Sequence, residues 1–162
     1  MFRSVLLVCA VLALGKGQIT EVSQCSENFA PRPILTVVEG CRSPMTPCQL
    51  PKGQNVTISM VFQAPHIIQN MRTTVMAFLS FIPIPFDIGE LSATCNFLVN
   101  TYCPVEQGEL VVYTLPLPIE EFIPVGTQLP FEIRISDDNN VGVACSRMSI
   151  RIVPPISKKL GA

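Results

Sequence analysis

The chain has 162 residues, a formal net charge of -1, 48% hydrophobic residues and only 14% charged residues. A charged share well under the ~25% of ordinary soluble domains excludes both a disordered tail and a basic nucleic-acid binder, which needs clustered Lys and Arg against phosphates. One His and no Trp leave little material for hydrolytic or metal chemistry, and the length sets one domain as the expectation.

Met1-Phe2-Arg3 is a cationic start, and Ser4 to Leu14 is an apolar run followed by the small residues Gly15 and Gly17. A run this short does not reach the ~20 apolar residues of a spanning helix, and it matches a secretory signal peptide over 1–17, cut after Gly15 or Gly17. The sequence holds 7 Cys, an awkward number for a disulfide framework, but Cys9 lies in that run and leaves with it. Six remain: Cys25, Cys41, Cys48, Cys95, Cys103 and Cys145. An even set in a secreted chain reads as disulfides rather than as a metal site. The mature chain keeps 9 Lys and Arg against 12 Asp and Glu, a net charge of -3. The folded domain is expected over 18–155 and a frayed tail over 156–162.

In chain order the mature sequence reads as strands. Ile19 to Ser23 offers a short edge strand, and Ile34 to Val38 a β-branched run. Asn55 to Phe62 alternates strictly, with Val56, Ile58, Met60 and Phe62 on one face, the mark of a half-buried strand. Thr73 to Phe81 is apolar almost throughout, which implies burial on both faces or a ligand on one. Leu110 to Leu115 is β-branched-rich. Phe131, Ile133 and Ile135 alternate with polar residues, and so do Met148, Ile150 and Ile152. Pro51-Lys52-Gly53 and Asp137-Asp138-Asn139-Asn140 supply turn chemistry, the second as a hairpin. No stretch sustains a helical apolar stripe between the prolines. About seven strands over ~145 residues define an all-β antiparallel sandwich.

Two Pro-rich apolar segments interrupt this pattern: Phe81 to Phe86, and Leu115 to Ile119 running on to Pro124. Proline cannot donate within a central ladder, so both belong at sheet edges or strand ends. They either cap the core or form a greasy rim around an opening between the sheets.

Other features are weaker. Asn55-Val56-Thr57 is a glycosylation sequon, with Asn55 on an outward strand position. His66 follows Pro65 in a loop and reads as a surface residue. Glu120-Glu121 and Asp137-Asp138 read as solvated turn carboxylates. No Ser-His-Asp or Cys-His set and no phosphate-binding loop can be assembled. The chain is therefore expected not to be an enzyme, and to carry no metal and no cofactor.

Six Cys allow fifteen pairings, and sequence alone does not choose among them. Short loops close most easily, which favours Cys41–Cys48 and Cys95–Cys103 and leaves Cys25 with Cys145.

The run from Cys41 through Pro47-Cys48-Gln49-Leu50-Pro51 to Gln54 resembles the corresponding segment of Niemann–Pick type C2 proteins. Phe81-Ile82-Pro83-Ile84-Pro85-Phe86, Cys103-Pro104, Tyr113 with Leu117-Pro118, and Ser136-Asp137-Asp138 up to Cys145 continue the resemblance in order. It covers roughly Gln18 to Val153 and points to the ML lipid-recognition family, in a form closer to arthropod members than to the vertebrate lysosomal one. The resemblance implies an immunoglobulin-like β-sandwich with three disulfides in the pairing above and an inter-sheet lipid cavity. It places the lipid-binding residues at Val38, Ile84, Phe86, Ile119, Ile123, Pro124, Phe131 and Ile133.

What it implies for function is a secreted protein, with the lysosomal lumen as another destination, that binds and transfers a sterol or fatty acid. The alternative is an innate-immune or chemosensory protein that presents a lipid to a receptor. The implied partners are an apolar lipid and a membrane receptor or acceptor membrane, with the protein itself monomeric. Ile123 and Ile133 stand where vertebrate sterol carriers place aromatic residues, and Asp87 follows Phe86. A pocket of branched aliphatics suits a fatty acid as well as a sterol.

Overall fold

Alternating apolar residues build two facing layers of strands. The computed structural model describes residues 18–41 and 47–157; the expected signal segment over 1–17 lies outside them. The strands are β1 (Leu35–Val38), β2 (Cys48–Pro51), β3 (Asn55–Gln63), β4 (Met71–Leu79), β5 (Ile82–Phe86), β6 (Leu110–Pro118), β7 (Gln128–Asp137) and β8 (Gly142–Val153). One layer is three-stranded in the order β1-β3-β6, and the other is five-stranded in the order β2-β8-β7-β4-β5. Only three short 3-10 turns, Ser26–Asn28, Gly89–Ser92 and Thr94–Phe97, interrupt the all-β architecture among the described residues.

The strands differ from the sequence reading in three places. Cys48–Pro51 is a strand, and it pairs with β8 in parallel while the remaining ladders are antiparallel. Four residues ending in Pro carry too little pattern to announce a strand; the long β8 edge templates it. Ile82–Phe86 is also a strand, despite Pro83 and Pro85. Ile19 to Ser23 contributes only isolated bridges, from Ile19 to Val37 and from Ser23 to Arg147.

The prolines obey the edge rule. β5 closes one side of the larger sheet and β6 one side of the smaller. In β6, Pro116 and Pro118 share the parity of Val112, whose N–H turns away from β3 and donates to Asn100 Oδ1 at 2.7 Å. Proline at those positions forfeits no ladder bond.

The core forms where the inward faces meet. Val56, Ile58, Met60 and Phe62 of β3 are buried as the alternation predicts, with Phe131, Ile133 and Ile135 of β7 and Met148, Ile150 and Ile152 of β8. In β4 the inward positions are Met71, Thr73, Val75 and Ala77, while Arg72 and Thr74 are exposed. This strand is therefore one-sided, apart from Phe78. That ring is buried on the outer face under the Arg147 guanidinium, 4.7 Å from its centroid.

Two sets of hydroxyls tie the layers together inside the core. Thr73 of β4 bonds Tyr113 of β6 at 2.8 Å and Thr94 at 2.7 Å. Thr36 of β1 bonds Ser146 of β8 at 2.9 Å. Burial pushes the Tyr113 phenol up in pKa despite the bond from Thr73, so it stays neutral.

The three disulfides are Cys25–Cys145, Cys41–Cys48 and Cys95–Cys103, the pairing expected from loop length and from the family resemblance. The first fastens the N-terminal segment to β8, where the Cys145 N–H also donates to the Pro31 carbonyl at 3.0 Å. Gly142 sits under the same segment: a Cβ there would overlap the Phe29 carbonyl and lie 2.8 Å from Ala30 Cβ. Backbone cannot move aside as a flexible side chain can. Gly142→Ala is expected to cost about 1–3 kcal/mol, seen as a lower urea midpoint; an unchanged midpoint would show the segment to be loosely held.

Asp137 corrects the solvated-turn reading. It is buried, and its Oδ1 accepts the N–H groups of Asn139 and Val141, both at 2.9 Å. Its Oδ2 meets His66 Nε2 at 2.8 Å. Burial raises the carboxyl's pKa, but these bonds outweigh it and hold it below the usual carboxylate range. His66 is accordingly half-buried against the β7–β8 hairpin rather than free in solvent. Sequence adjacency hid this, because the partner lies 71 residues away.

Candidate functional site

At one end of the sandwich the two layers do not close on each other, and a cavity of about 50 Å³ remains between them. The five-stranded sheet supplies one wall: Val75 and Ala77 of β4, Phe86 of β5, Leu129 and Phe131 of β7, and Ile150 and Ile152 of β8, with Leu50 of β2. These positions share a wall because of register. Val75 lies opposite Phe86, Ala77 opposite Phe131, and Leu129 opposite Ile150. Leu117 and Pro118 of β6 form the opposing wall, and the β6–β7 connection adds Ile119, Glu120, Ile123 and Thr127. Asp87 and Ile88, just past β5, complete it.

The Pro-rich segments shape this end. Pro118 ends β6, and the connection that follows is pinned at both ends: the Ile119 N–H donates to the Gln54 carbonyl at 2.9 Å, and the Gly126 N–H to the Ile152 carbonyl at 2.8 Å. From this connection Ile119 and Ile123 line the cavity. Asp87 and Glu120 are exposed, so the cavity reaches solvent between the end of β5 and the β6–β7 connection. The Thr73–Tyr113 bridge stands one inward position beyond Val75 on β4, within the filled core.

The residues expected from the family resemblance separate into two groups. Phe86, Ile119, Ile123 and Phe131 line the cavity. Val38 and Ile133 are 1% and 0% exposed within the continuous core behind it. Ile84 is half-buried on β5 opposite Ala77, and Pro124 is exposed in the β6–β7 connection. Sequence reasoning missed Leu50, Ile88, Thr127, Leu129, Ile150 and Ile152, and reached Val75, Ala77, Leu117 and Pro118 only through segments for which a ligand or an opening was one of two expectations. Their signal was present in part: Val75 with Ala77, and Ile150 with Ile152, are spaced by two on inward faces. Such spacing does not distinguish a cavity wall from filled core.

Nothing polar inside the cavity asks for a partner. Among the described residues no buried side-chain nitrogen or oxygen lacks a hydrogen bond. The group Cys25, Glu132 and Cys145 has ligand atoms within 4.8 Å of one another, but both sulfurs are spent in a disulfide and Glu132 is held by two arginines. It is not a metal site.

Fold and site together define a disulfide-braced, two-layer β-sandwich with an apolar cavity opening between its sheets. The sequence profile of the ML domain matches residues 20–152, and the chain belongs to that family. It is similar to the mouse NPC intracellular cholesterol transporter 2, at 25% identity over 91% of this chain and 94% of the relative. The Drosophila melanogaster NPC intracellular cholesterol transporter 2 homolog a is 24% identical over 94% of this chain and 99% of its own. Among solved structures, a Niemann-Pick type C2 protein from Japanese carpenter ant superposes with a TM-score of 0.71 at 15% identity, covering 82% of this chain and 98% of the other.

Proposed function

We propose that the protein is a secreted lipid carrier that holds a sterol or fatty acid between its two sheets and releases it to an acceptor membrane. The observation that carries this reading is the apolar cavity, with walls of Leu, Ile, Val and Phe from both layers and, among the described residues, only Asp87, Glu120 and Thr127 as polar lining. The relatives named for cholesterol transport support the same class of cargo. Three disulfides fit an oxidising compartment. Among the described residues no helix is long and apolar enough to cross a membrane. Asn55 is exposed at the start of β3, which suits a glycosylated sequon. Cleavage of 1–17 would release the mature domain.

A volume of about 50 Å³ admits water-sized molecules, not a lipid. Cargo must therefore part the walls at the open end. Burying a few hundred Å² of lipid surface at ~25 cal/mol per Å² gives on the order of 10 kcal/mol gross, from which wall displacement and ordering are subtracted. The buried hydroxyl bridges Thr73–Tyr113 and Thr36–Ser146 resist separation elsewhere, so opening is confined to the mouth.

Ala77 is the test position, since it is small, buried and on the cavity wall. Overfilling a packed site costs about 1–3 kcal/mol. Ala77→Phe is expected to weaken binding of both cholesterol and palmitate about 10-fold or more while the circular dichroism spectrum keeps its β signature. Lipid binding equal to wild type in a folded Ala77→Phe protein would place the cargo elsewhere. Lipid-free wild-type protein that takes up neither ligand would end the carrier reading.

A further inference from the structure

The cavity has an apolar interior and a charged mouth, and the charge is all of one sign. Among the described residues only Asp87 and Glu120 of its lining are ionisable, and no Lys, Arg or His lines it. The two carboxylates come from opposite sides of the opening, one past β5 and one past β6. Both are exposed, and neither takes part in an ion pair among the described residues. Asp87 Oδ1 accepts the Gly89 N–H at 2.8 Å, which fixes it at the rim. Neighbouring Glu121 is turned away toward the β2–β3 turn, where a Cβ on Gly53 would lie 2.9 Å from its Cγ.

A lipid entering this cavity leads with its apolar end. Among the described residues no buried side-chain donor is left unpartnered for a head group, and a desolvated charge among Leu, Ile and Phe side chains is costly. The head therefore rests at the mouth, between Asp87 and Glu120. There a carboxylate head meets two like charges, an alcohol meets two hydrogen-bond acceptors, and an ammonium meets two opposite charges. The few polar groups of an apolar pocket set its specificity in this way.

Resting on the carrier reading, we propose that Asp87 and Glu120 rank the cargo by head-group charge: the site favours uncharged or cationic amphiphiles over free fatty acids. The selection needs no contact deep in the cavity. It ranks lipids with a hydroxyl or amine head above those with a carboxylate.

The experiment compares three probes with the same chain, tetradecanol, tetradecylamine and myristate. Each competes for the lipid-free mature protein against a neutral fluorescent probe at pH 7.5 and low salt. The alcohol and the amine are expected to bind about 10-fold or more tightly than myristate, as two like charges near a protein surface imply. The Asp87→Asn/Glu120→Gln variant is expected to bring myristate within about 3-fold of tetradecanol. Raising the salt on wild-type protein should narrow the gap in the same direction, because exposed charges are screened; this arm does not depend on how the variant folds. Myristate binding as tightly as tetradecanol to wild type, or a gap indifferent to both salt and substitution, overturns the proposal and leaves the carrier reading intact. Failure of all three probes to displace the reporter overturns the carrier reading and the selection with it.

Discussion

Glu132→Ala is expected to lower the unfolding free energy by about 3–5 kcal/mol, the usual cost of leaving buried charges without their partner. Glu132 stands on the outer face of β7 and yet is 0% exposed, because the N-terminal segment lies across it. Its Oε1 accepts the Ser26 N–H at 2.7 Å, the Ser26 hydroxyl at 2.6 Å and Arg147 Nη1 at 2.6 Å. Its Oε2 accepts Arg134 Nε at 2.7 Å. Each arginine also lies over a ring, Arg134 on Phe29 at 4.8 Å and Arg147 on Phe78 at 4.7 Å. Removing the carboxylate strands two half-buried guanidinium groups and a backbone donor at once. Urea unfolding of wild type and variant at neutral pH measures the effect, and a difference under about 0.5 kcal/mol, the range of ordinary surface substitutions, would refute this account of the cluster.

The pH dependence follows with its sign. Burial raises the Glu132 pKa, but the bonds from Ser26, Arg147 and Arg134 outweigh it, and the folded value lies below the ordinary 4.5. A depressed carboxylate contributes stability that is fully present above its unfolded pKa and is lost as pH falls through the folded one. Asp137 acts in the same direction at the far hairpin. Wild type is therefore expected to lose stability on acidification below about pH 4.5, and Glu132→Ala to lose less over that interval, since the variant has already forfeited this contribution.

How much of this was legible in the sequence varies with the physics behind each feature. The alternation of Val56, Ile58, Met60 and Phe62 gave β3 because one face of that strand meets the core and the other meets solvent. The prolines of β5 and β6 marked edges because proline has no N–H to place in a central ladder. The disulfide pairing followed loop length because the short loops are local. Glu132 was not legible in this way. It alternates with Phe131 and Ile133 as a solvent-facing residue should, and only the overlying Cys25 to Phe29 segment makes that face an interior. Asp137 failed for the same reason, its burial being set by a distant loop. The candidate cavity was half legible: Phe86, Ile119 and Ile123 flank Pro-rich segments, and Val75 and Ala77 lie in a run for which a ligand on one face was one of two expectations, whereas Leu129, Ile150 and Ile152 read as any inward strand position.

The Cys25–Cys145 disulfide and Glu132 fasten the same segment, and their removal should therefore not be additive. The disulfide joins residues separated by 120 in sequence. In the chain-entropy account a loop of that size is worth about 4–5 kcal/mol, so Cys25→Ala/Cys145→Ala is expected to lower stability by up to that amount. Its second consequence is local. Without the covalent anchor, residues Cys25 to Ala30 depend on the Ser26–Glu132 bonds and the packing of Phe29 to stay on β7 and β8. When that segment lifts, water reaches Glu132, Arg134 and Arg147, and their pairing drops toward the small value of an exposed ion pair. Glu132→Ala in the disulfide-free background should then cost about 1–2 kcal/mol less than in wild type, a coupling within the range for groups that share partners. A double-mutant cycle by urea unfolding reads this difference directly. Full additivity would mean that the segment stays seated without the disulfide, held by Glu132, the packing of Phe29 and the Ser23–Arg147 and Pro31–Cys145 backbone bonds.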